Sequence, residues 1–395
     1  MTSTPAPVPS VALAVTRLTV TRFRSYAQAR LDCDARPVVL TGPNGAGKTN
    51  LLEAVSFLAP GRGLRRARLA EVERLQAPGA DPGTGWQSPG WAVAASVLTP
   101  RGTVEIGTGR DPAAAPDSER RLVRIDGHAA KSQVALAEHV AVVWLTPQMD
   151  RLFIEGASGR RRFLDRLVFG FDPGHAGRLS RYENALRERA RLLRDGSGDA
   201  AWLSALEEQM AATGIAVAAA RADTVRRLAD AARQGVGPFP APGLSLTGAV
   251  DALLAESPAL EAEEAFRARL RDGRRQDADG GGASLGPHRS DLAVTYLAKG
   301  MPAELGSTGE QKALLIAIVL ANARLMRAET GVAPLLLLDE VAAHLDAGRR
   351  TALFTEILAT GGQAWLTGTD AGIFAELGDA ASHMRVEEGR LAPPS

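Results

Sequence analysis

The sequence predicts an α/β fold in which a phosphate-loop lobe, a sheet flanked by helices, is interrupted by an inserted helical lobe. Three observations lead there. Residues 42–49 form a glycine-rich loop between an apolar stretch at 37–40 and a helical pattern that starts at Asn50. From about residue 159 to 270 the apolar spacing changes to steps of three and four. Beyond it, strand and helix signals alternate again, and the run Pro334-Leu335-Leu336-Leu337-Leu338 ends in Asp339-Glu340. The expected divisions are a disordered leader at 1–10, the first part of the α/β lobe at 11–158, the helical insertion at 159–275 and the second part of the lobe at 276–395.

The loop reads Gly42-Pro43-Asn44-Gly45-Ala46-Gly47-Lys48-Thr49. Its glycines let successive backbone N–H groups curl around the β- and γ-phosphates of a nucleoside triphosphate. Lys48 supplies a point charge, and the Thr49 hydroxyl suits Mg²⁺. Lysine occurs only at Lys48, Lys131, Lys299 and Lys312, and two of these four lie in nucleotide motifs. A compact ammonium there cannot be exchanged for a planar guanidinium, although arginine fills nearly every other basic position.

Composition bounds the class. A chain of 395 residues with 45% hydrophobic content can build a large α/β core and a second domain. The formal net charge of +1 averages over local runs, notably Arg160, Arg161, Arg162 and Arg166, then Arg178, Arg181, Arg187, Arg189, Arg191 and Arg194. Such a run reads as a solvated, salt-bridged helix face unless other evidence favours an anionic partner. Cys33 is alone, so neither an internal disulfide nor a cysteine zinc cluster is expected. The N-terminus lacks the pattern of a secretory signal, and no apolar run approaches the ~20 residues of a membrane span. A cytoplasmic location is expected.

Alternation predicts strands within 11–29, at 38–40, 91–98, 103–107 and 121–125, all in one sheet-rich lobe. Residues 77–90 and 111–117 read as Pro/Gly loops. In the insertion, Leu186, Leu193, Trp202, Leu206 and Met210 recur at helical steps, and Val217, Arg221, Val225 and Leu228 form a partly polar stripe. Residues 235–243 interrupt the helices, and the polar run 272–283 reads as a flexible linker. An apolar helix at 313–325 and a strand at 363–366 complete the lobe.

A buried strand that delivers Asp339 and Glu340 at its carboxyl end sets two carboxylates beside the phosphate loop of a doubly wound sheet. Asp339 would hold the Mg²⁺ hydration shell, and Glu340 would polarise the attacking water. Ser307-Thr308-Gly309-Glu310-Gln311-Lys312 opens the apolar helix and reads in two ways. It is a second anion site facing the γ-phosphate held by another protomer, which closes a head-to-tail dimer, or it is a helix N-cap in which Ser307 or Thr308 serves Glu310.

Taken together, the chain resembles the ABC-type ATPases of the SMC family, and within them the bacterial RecF family. The resemblance spans the chain beyond the leader. It rests on Phe23-Arg24-Ser25-Tyr26, the phosphate loop, Gly61-Arg62-Gly63-Leu64-Arg65, Val123-Arg124-Ile125-Asp126-Gly127 and Leu145-Thr146-Pro147-Gln148. Gly159-Arg160-Arg161-Arg162-Phe163-Leu164-Asp165, Gly286-Pro287-His288-Arg289-Ser290-Asp291-Leu292, the Ser307 signature and Leu337-Leu338-Asp339-Glu340 complete it. The resemblance implies an ABC-type P-loop ATPase lobe, with a mixed sheet and flanking helices, bound to ATP and Mg²⁺. It implies Gln148 as the Q-loop residue that senses metal and γ-phosphate, Ser307 and Gly309 as contacts in trans, Asp346 as the D-loop acid, and Arg24 and Arg65 near the nucleotide. Gly306 departs from the usual leucine of the signature, and Ala343 from the small hydroxyl residue that often opens the D-loop. Thr367-Gly368-Thr369 stands where transporters carry a switch histidine, which implies slow hydrolysis.

The function so implied is ATP-dependent DNA binding in recombinational repair and replication-fork recovery, with SOS induction. An ATP-driven dimer would clamp DNA at gaps and, with RecO and RecR, promote RecA loading. The alternative of an ABC transporter nucleotide-binding subunit requires the signature roughly a hundred residues after the phosphate loop, a spacing this chain exceeds. An OLD-type nuclease would need a further acidic metal-binding domain, and an SMC-type tether a longer insertion. Two basic clusters are candidate DNA-phosphate contacts: Arg62, Arg65, Arg66 and Arg68, and Arg160, Arg161 and Arg162. The six histidines, Trp144 and Met149 are expected to be structural or superficial.

Overall fold

The computed structural model describes residues 13–74, 90–111, 113, 118, 120–196 and 199–392. The expected leader, most of the 77–90 loop and most of 111–117 lie outside these residues. The chain divides into two compact units, Met1–Met149 with Ala323–Ser395, and Asp150–Asn322.

The first stretch supplies strands β1 (Ala14–Phe23), β2 (Tyr26–Asp32) and β3 (Val38–Thr41), then helices α1 (Lys48–Ser56) and α2 (Leu69–Val72). Strands β4 (Ala92–Thr99), β5 (Gly102–Arg110), β6 (Arg121–Ile125), β7 (His128–Ala129) and β8 (Val142–Leu145) follow. The second unit contains α3 (Ala157–Phe169), α4 (His175–Asp195), α5 (Ala200–Arg233), β9 (Pro242–Thr247), α6 (Ala249–Glu256), α7 (Ala259–Asp272) and α8 (Arg274–Asp279). Its last elements are β10 (Asp291–Tyr296), β11 (Met301–Pro302) and the start of α9 (Thr308–Thr330). The chain then closes the first unit with β12 (Leu335–Leu338), α10 (Ala347–Thr360), β13 (Ala364–Gly368), β14 (Ser382–Glu387) and β15 (Arg390–Ala392).

The single sheet-rich lobe expected from the sequence is built from two six-stranded sheets. One is antiparallel, in the order β2-β1-β4-β5-β6-β7; the other runs β15-β14-β3-β13-β12-β8 and is parallel apart from β15. All four leucines of β12 are buried, as a strand flanked on both sides in a covered parallel sheet requires. α1 packs against β1 of one sheet and β13 of the other. A continuous core joins Val15, Leu18 and Phe23 to Leu40, Leu51, Trp144, Leu337 and Trp365. The fully buried Gln363 side chain bridges the sheets: its Oε1 accepts from Val15 N at 2.9 Å, and its Nε2 donates to the carbonyls of Val15 at 3.1 Å and Asp34 at 2.8 Å.

In the second unit, Tyr182, Met210, Ile215, Phe266 and Leu270 form the core. The stripe Val217, Arg221, Val225 and Leu228 lies on the single helix α5 and is buried, Arg221 included. Arg221 is buried because Asp165 accepts from its Nε and Nη2, both at 2.8 Å, while its Nη1 donates to Pro287 O at 2.6 Å. His175, also buried, meets the same carboxylate at 2.8 Å. Trp202 departs from the expected pattern and is 55% exposed.

The boundaries also differ from those expected. The expected linker at 272–283 contains α8, whose Asp277 is buried because Arg189 donates to it at 2.8 Å; Arg189 also bonds Glu207 at 3.0 Å. β9 begins at the end of the expected interruption and pairs antiparallel with β10, which draws residues beyond 275 into the same unit. The divisions therefore fall after Met149 and Asn322.

Burial opposes the charge on Asp165, but Arg221 and the bond from His175 outweigh it and hold the carboxyl at about 2. Because the folded value lies below the ordinary 3.8, the stabilisation is complete above about pH 4 and is lost as pH falls through about 2. The contribution is about 2 kcal/mol. Asp165→Asn leaves a buried guanidinium without its counter-ion and should cost about 3–5 kcal/mol. Urea denaturation from pH 5 to 2 checks both effects: the parent should lose more stability on acidification than the variant, whose midpoint is already lower at pH 5.

Candidate functional site

The phosphate loop leaves β3 at a point where only glycine fits. Gly42 has φ 144°, and a Cβ there would lie 2.1 Å from Val386 O. At the far end Gly47 has φ 115°, and a Cβ would meet Tyr26 Oη at 2.7 Å and Ser25 Oγ at 2.8 Å. Tyr26 Oη donates to Gly47 O at 3.1 Å, and the Gly389 amide donates to Ala46 O at 3.0 Å, so β2 and the turn between β14 and β15 hold the loop. Pro43, Asn44 and Gly45 are exposed along its outer side. Lys48 is buried; its Nζ donates to the carbonyls of Gly42 at 2.7 Å and Pro43 at 3.0 Å and lies 3.6 Å from Glu340 Oε1.

The two carboxylates arrive on β12. The Asp339 amide donates to Leu145 O at 2.9 Å, which extends the β12–β8 pairing by one residue. Asp339 Oδ1 accepts from Thr49 Oγ1 and from Thr367 Oγ1, each at 2.8 Å. Thr367 Oγ1 accepts in turn from the Glu340 amide at 2.9 Å. Glu340 has φ 55°, a left-handed conformation that costs a non-glycine residue about 1 kcal/mol or more. The structure thus brings Lys48, Thr49, Asp339 and Glu340 together and adds Thr367, which the sequence places at the switch-histidine position without assigning it a role. Hydroxyl and carboxylate oxygens around one point are the hard donors that suit Mg²⁺.

Gln148 is exposed in the turn Pro147–Arg151, three residues beyond Leu145. Asp346 caps α10, its Oδ1 accepting from Arg349 N at 2.9 Å. Arg24 and Arg65 converge on Glu53, a fully buried residue of α1. Arg24 donates to it at 2.8 and 2.7 Å and Arg65 at 2.9 Å, while Arg65 also bonds Asn50 Oδ1 at 2.7 Å. Glu53 is a second residue the sequence reading missed; its signal was a lone acid in an otherwise apolar helix face behind the loop.

In the second unit, Ser307 and Glu310 make the reciprocal cap that was one of two readings of this segment. Glu310 Oε2 accepts from Ser307 N at 2.8 Å and Ser307 Oγ at 3.0 Å, and Ser307 Oγ accepts from Glu310 N at 3.4 Å. Lys299 bonds the same carboxylate, and this contact, followed by those from Ser307, lowers the Glu310 carboxyl to about 2. Ser307, Thr308 and Gly309 remain exposed at the start of α9.

The two basic clusters differ. Arg62, Arg65, Arg66 and Arg68 are exposed, Arg65 through the edge not bound to Glu53. Arg160, by contrast, is committed internally: it pairs with Asp291 through two bonds of 2.7 Å and donates to the carbonyls of Leu152, Phe153 and Glu155. Arg161 donates to Ser290 O at 2.8 Å, and Arg162 is exposed. Expecting all three as phosphate contacts is therefore corrected for Arg160, whose charge and donors are used by its own unit. His288 is structural, bonded to Tyr182 Oη at 2.6 Å and Ala283 O at 2.9 Å. Trp144 is buried and Met149 packs against the core. Among the described residues no cluster of three or more His, Cys, Asp or Glu could hold a metal, and no helix is long and apolar enough to cross a membrane.

Residues 17–71, which hold the loop and both its arginines, match the AAA domain family. A DNA replication and repair protein RecF from Mesorhizobium japonicum is 50% identical over 381 residues, covering 96% of this chain and 97% of that protein. Among solved structures, the recombination mediator protein RecF-ATPrS in RecFOR pathway superposes with a TM-score of 0.80 at 20% identity, covering 97% of this chain and 99% of that one. An Smc head domain from Pyrococcus furiosus, bound to the C-terminal domain of ScpA, gives 0.52 at 15% identity over 96% and 95% of the two chains. These likenesses bear out the ABC-type α/β fold and do not favour the transporter reading. The chain belongs to the RecF family of DNA replication and repair proteins.

Proposed function

We propose that this protein is an ATP-gated DNA clamp of recombinational repair. The observation that carries the reading is the meeting of Thr49 with Asp339 at 2.8 Å, beside Lys48 and Glu340, at the carboxyl ends of parallel strands. ATP would lie in the loop with its phosphates on the backbone amides and Lys48. Mg²⁺ would be held by Thr49, Asp339 and Gln148, and Glu340 would orient the attacking water. Ser307 and Gly309 would complete the site of a second copy, with Asp346 at the same junction, so that ATP joins two protomers. Arg24 and Arg65 would face the nucleotide. RecO, RecR and RecA are partners by resemblance, and the likeness to the RecF-ATPrS structure of the RecFOR pathway supports the RecO and RecR part of that assignment. A cytoplasmic location fits this role.

Glu340→Gln keeps the strand end and the metal ligands but removes the base. Hydrolysis should fall by about 10²–10⁴-fold with ATP affinity retained, and the ATP-bound protein should stay on DNA longer. Parallel measurement of ATP turnover and DNA dissociation checks this; turnover at the parent rate removes Glu340 from the role.

The exposed Arg62, Arg66 and Arg68 are the favoured DNA contacts now that Arg160 is committed to Asp291. Backbone contacts of this kind bind with little sequence preference, and each one lost should lower the salt slope of log K by about 0.9. Titration of the Arg62→Ala, Arg66→Ala, Arg68→Ala triple variant with duplex DNA at several salt concentrations checks it. An unchanged slope with ATP binding preserved places the DNA face elsewhere.

A further inference from the structure

We propose that Thr367 is a positioning residue for phosphoryl transfer, setting both acids of the site through one hydroxyl. The inference rests on the ATP reading above and deepens it. β13 lies between the phosphate-loop strand β3 and the acid-bearing strand β12. Thr367 stands opposite Leu40 of β3, and its neighbour Leu366 opposite Leu338 of β12, so Thr367 faces the first residue past the end of β12. That residue is Asp339.

Thr367 is 1% exposed, and both capacities of its hydroxyl are used. Its single proton goes to Asp339 Oδ1 at 2.8 Å, and its oxygen accepts from the Glu340 amide at 2.9 Å. The second bond prevents the hydroxyl from rotating away from the first. Thr49 donates to the same Oδ1 at 2.8 Å, so the two hydroxyls fix the carboxylate plane and leave Oδ2 as the oxygen tied to neither. Glu340 carries φ 55°, and the pinned amide is what holds that turn. One side chain therefore orients the metal-holding acid and the water-orienting acid together. The position requires a hydroxyl, since valine matches its shape but supplies neither bond.

The test uses the full chain with DNA and compares the parent with Thr367→Val and Thr367→Ser. ATP turnover is measured across a Mg²⁺ titration, and affinity for a fluorescent ATP analogue and the thermal midpoint are measured separately. Thr367→Val should lower kcat about 10–100-fold, the usual effect of losing a bond that orients a metal ligand. It should raise the Mg²⁺ concentration for half-maximal turnover, with analogue affinity nearly unchanged, and Thr367→Ser should restore both. Parent-like turnover and Mg²⁺ dependence in Thr367→Val overturn the proposal. So does a defect shared by Thr367→Ser that follows the thermal midpoint, because that marks a packing role. A parent that binds no analogue contradicts the ATP reading itself, independently of Thr367.

Discussion

Asp339 Oδ1 is the point on which the site depends. A carboxylate that is only 5% exposed at the end of an all-leucine strand needs donors from within the protein, and it receives two hydroxyls at 2.8 Å. One comes from α1 directly behind the phosphate loop, the other from β13. That convergence fixes the first turn of α1 against the ends of β12 and β13, and with it the place of Lys48. The surrounding sheet order makes it possible, because β13 separates β3 from β12 and brings a third polar side chain between loop and acid. Gln363 and α1 then bind the parallel sheet to the antiparallel one, so the site rests on a core that spans both.

The second unit uses charge differently. Its motifs Gly159-Arg160-Arg161-Arg162-Phe163-Leu164-Asp165 and Gly286-Pro287-His288-Arg289-Ser290-Asp291-Leu292 are bonded to one another and to α5. Arg160 pairs with Asp291, Arg161 reaches Ser290 O, and Arg221 joins Asp165 to Pro287 O. Removing one member of the buried Arg221–Asp165 pair strands the other, so these residues are constrained by each other before any ligand is considered. An arginine-rich segment is thus partly a structural framework, and the surface charge available to DNA is smaller than the residue count suggests.

Much of the fold was legible because its signals are local. The loop is a contiguous run, the strand before Asp339 is an uninterrupted apolar stretch, and alternation marks β1, β4 and β6 within a few residues of their bounds. What escaped depends on distant pairing. Thr367 reaches Asp339 only when β13 is set beside β12, and Arg160 finds its acid 131 residues away. The stretch 272–283 looked like a linker from its glycines and charges, yet α8 forms there because Arg189 gives Asp277 a buried partner. The cap at Ser307 was one of two readings, and the local spacing to Glu310 supports both the cap and an outward-facing anion site.

The proposal that ATP, with its metal held at the Asp339 junction, joins two copies through Ser307 and Gly309 can be checked by sedimentation velocity. Parent protein and Asp339→Asn are compared at matched ATP and Mg²⁺ concentrations, with nucleotide occupancy measured in the same samples. ATP is expected to shift the parent to a dimer, while the variant binds ATP and remains a monomer. A parent that does not change its sedimentation with ATP, or a variant that dimerises as the parent does, contradicts it.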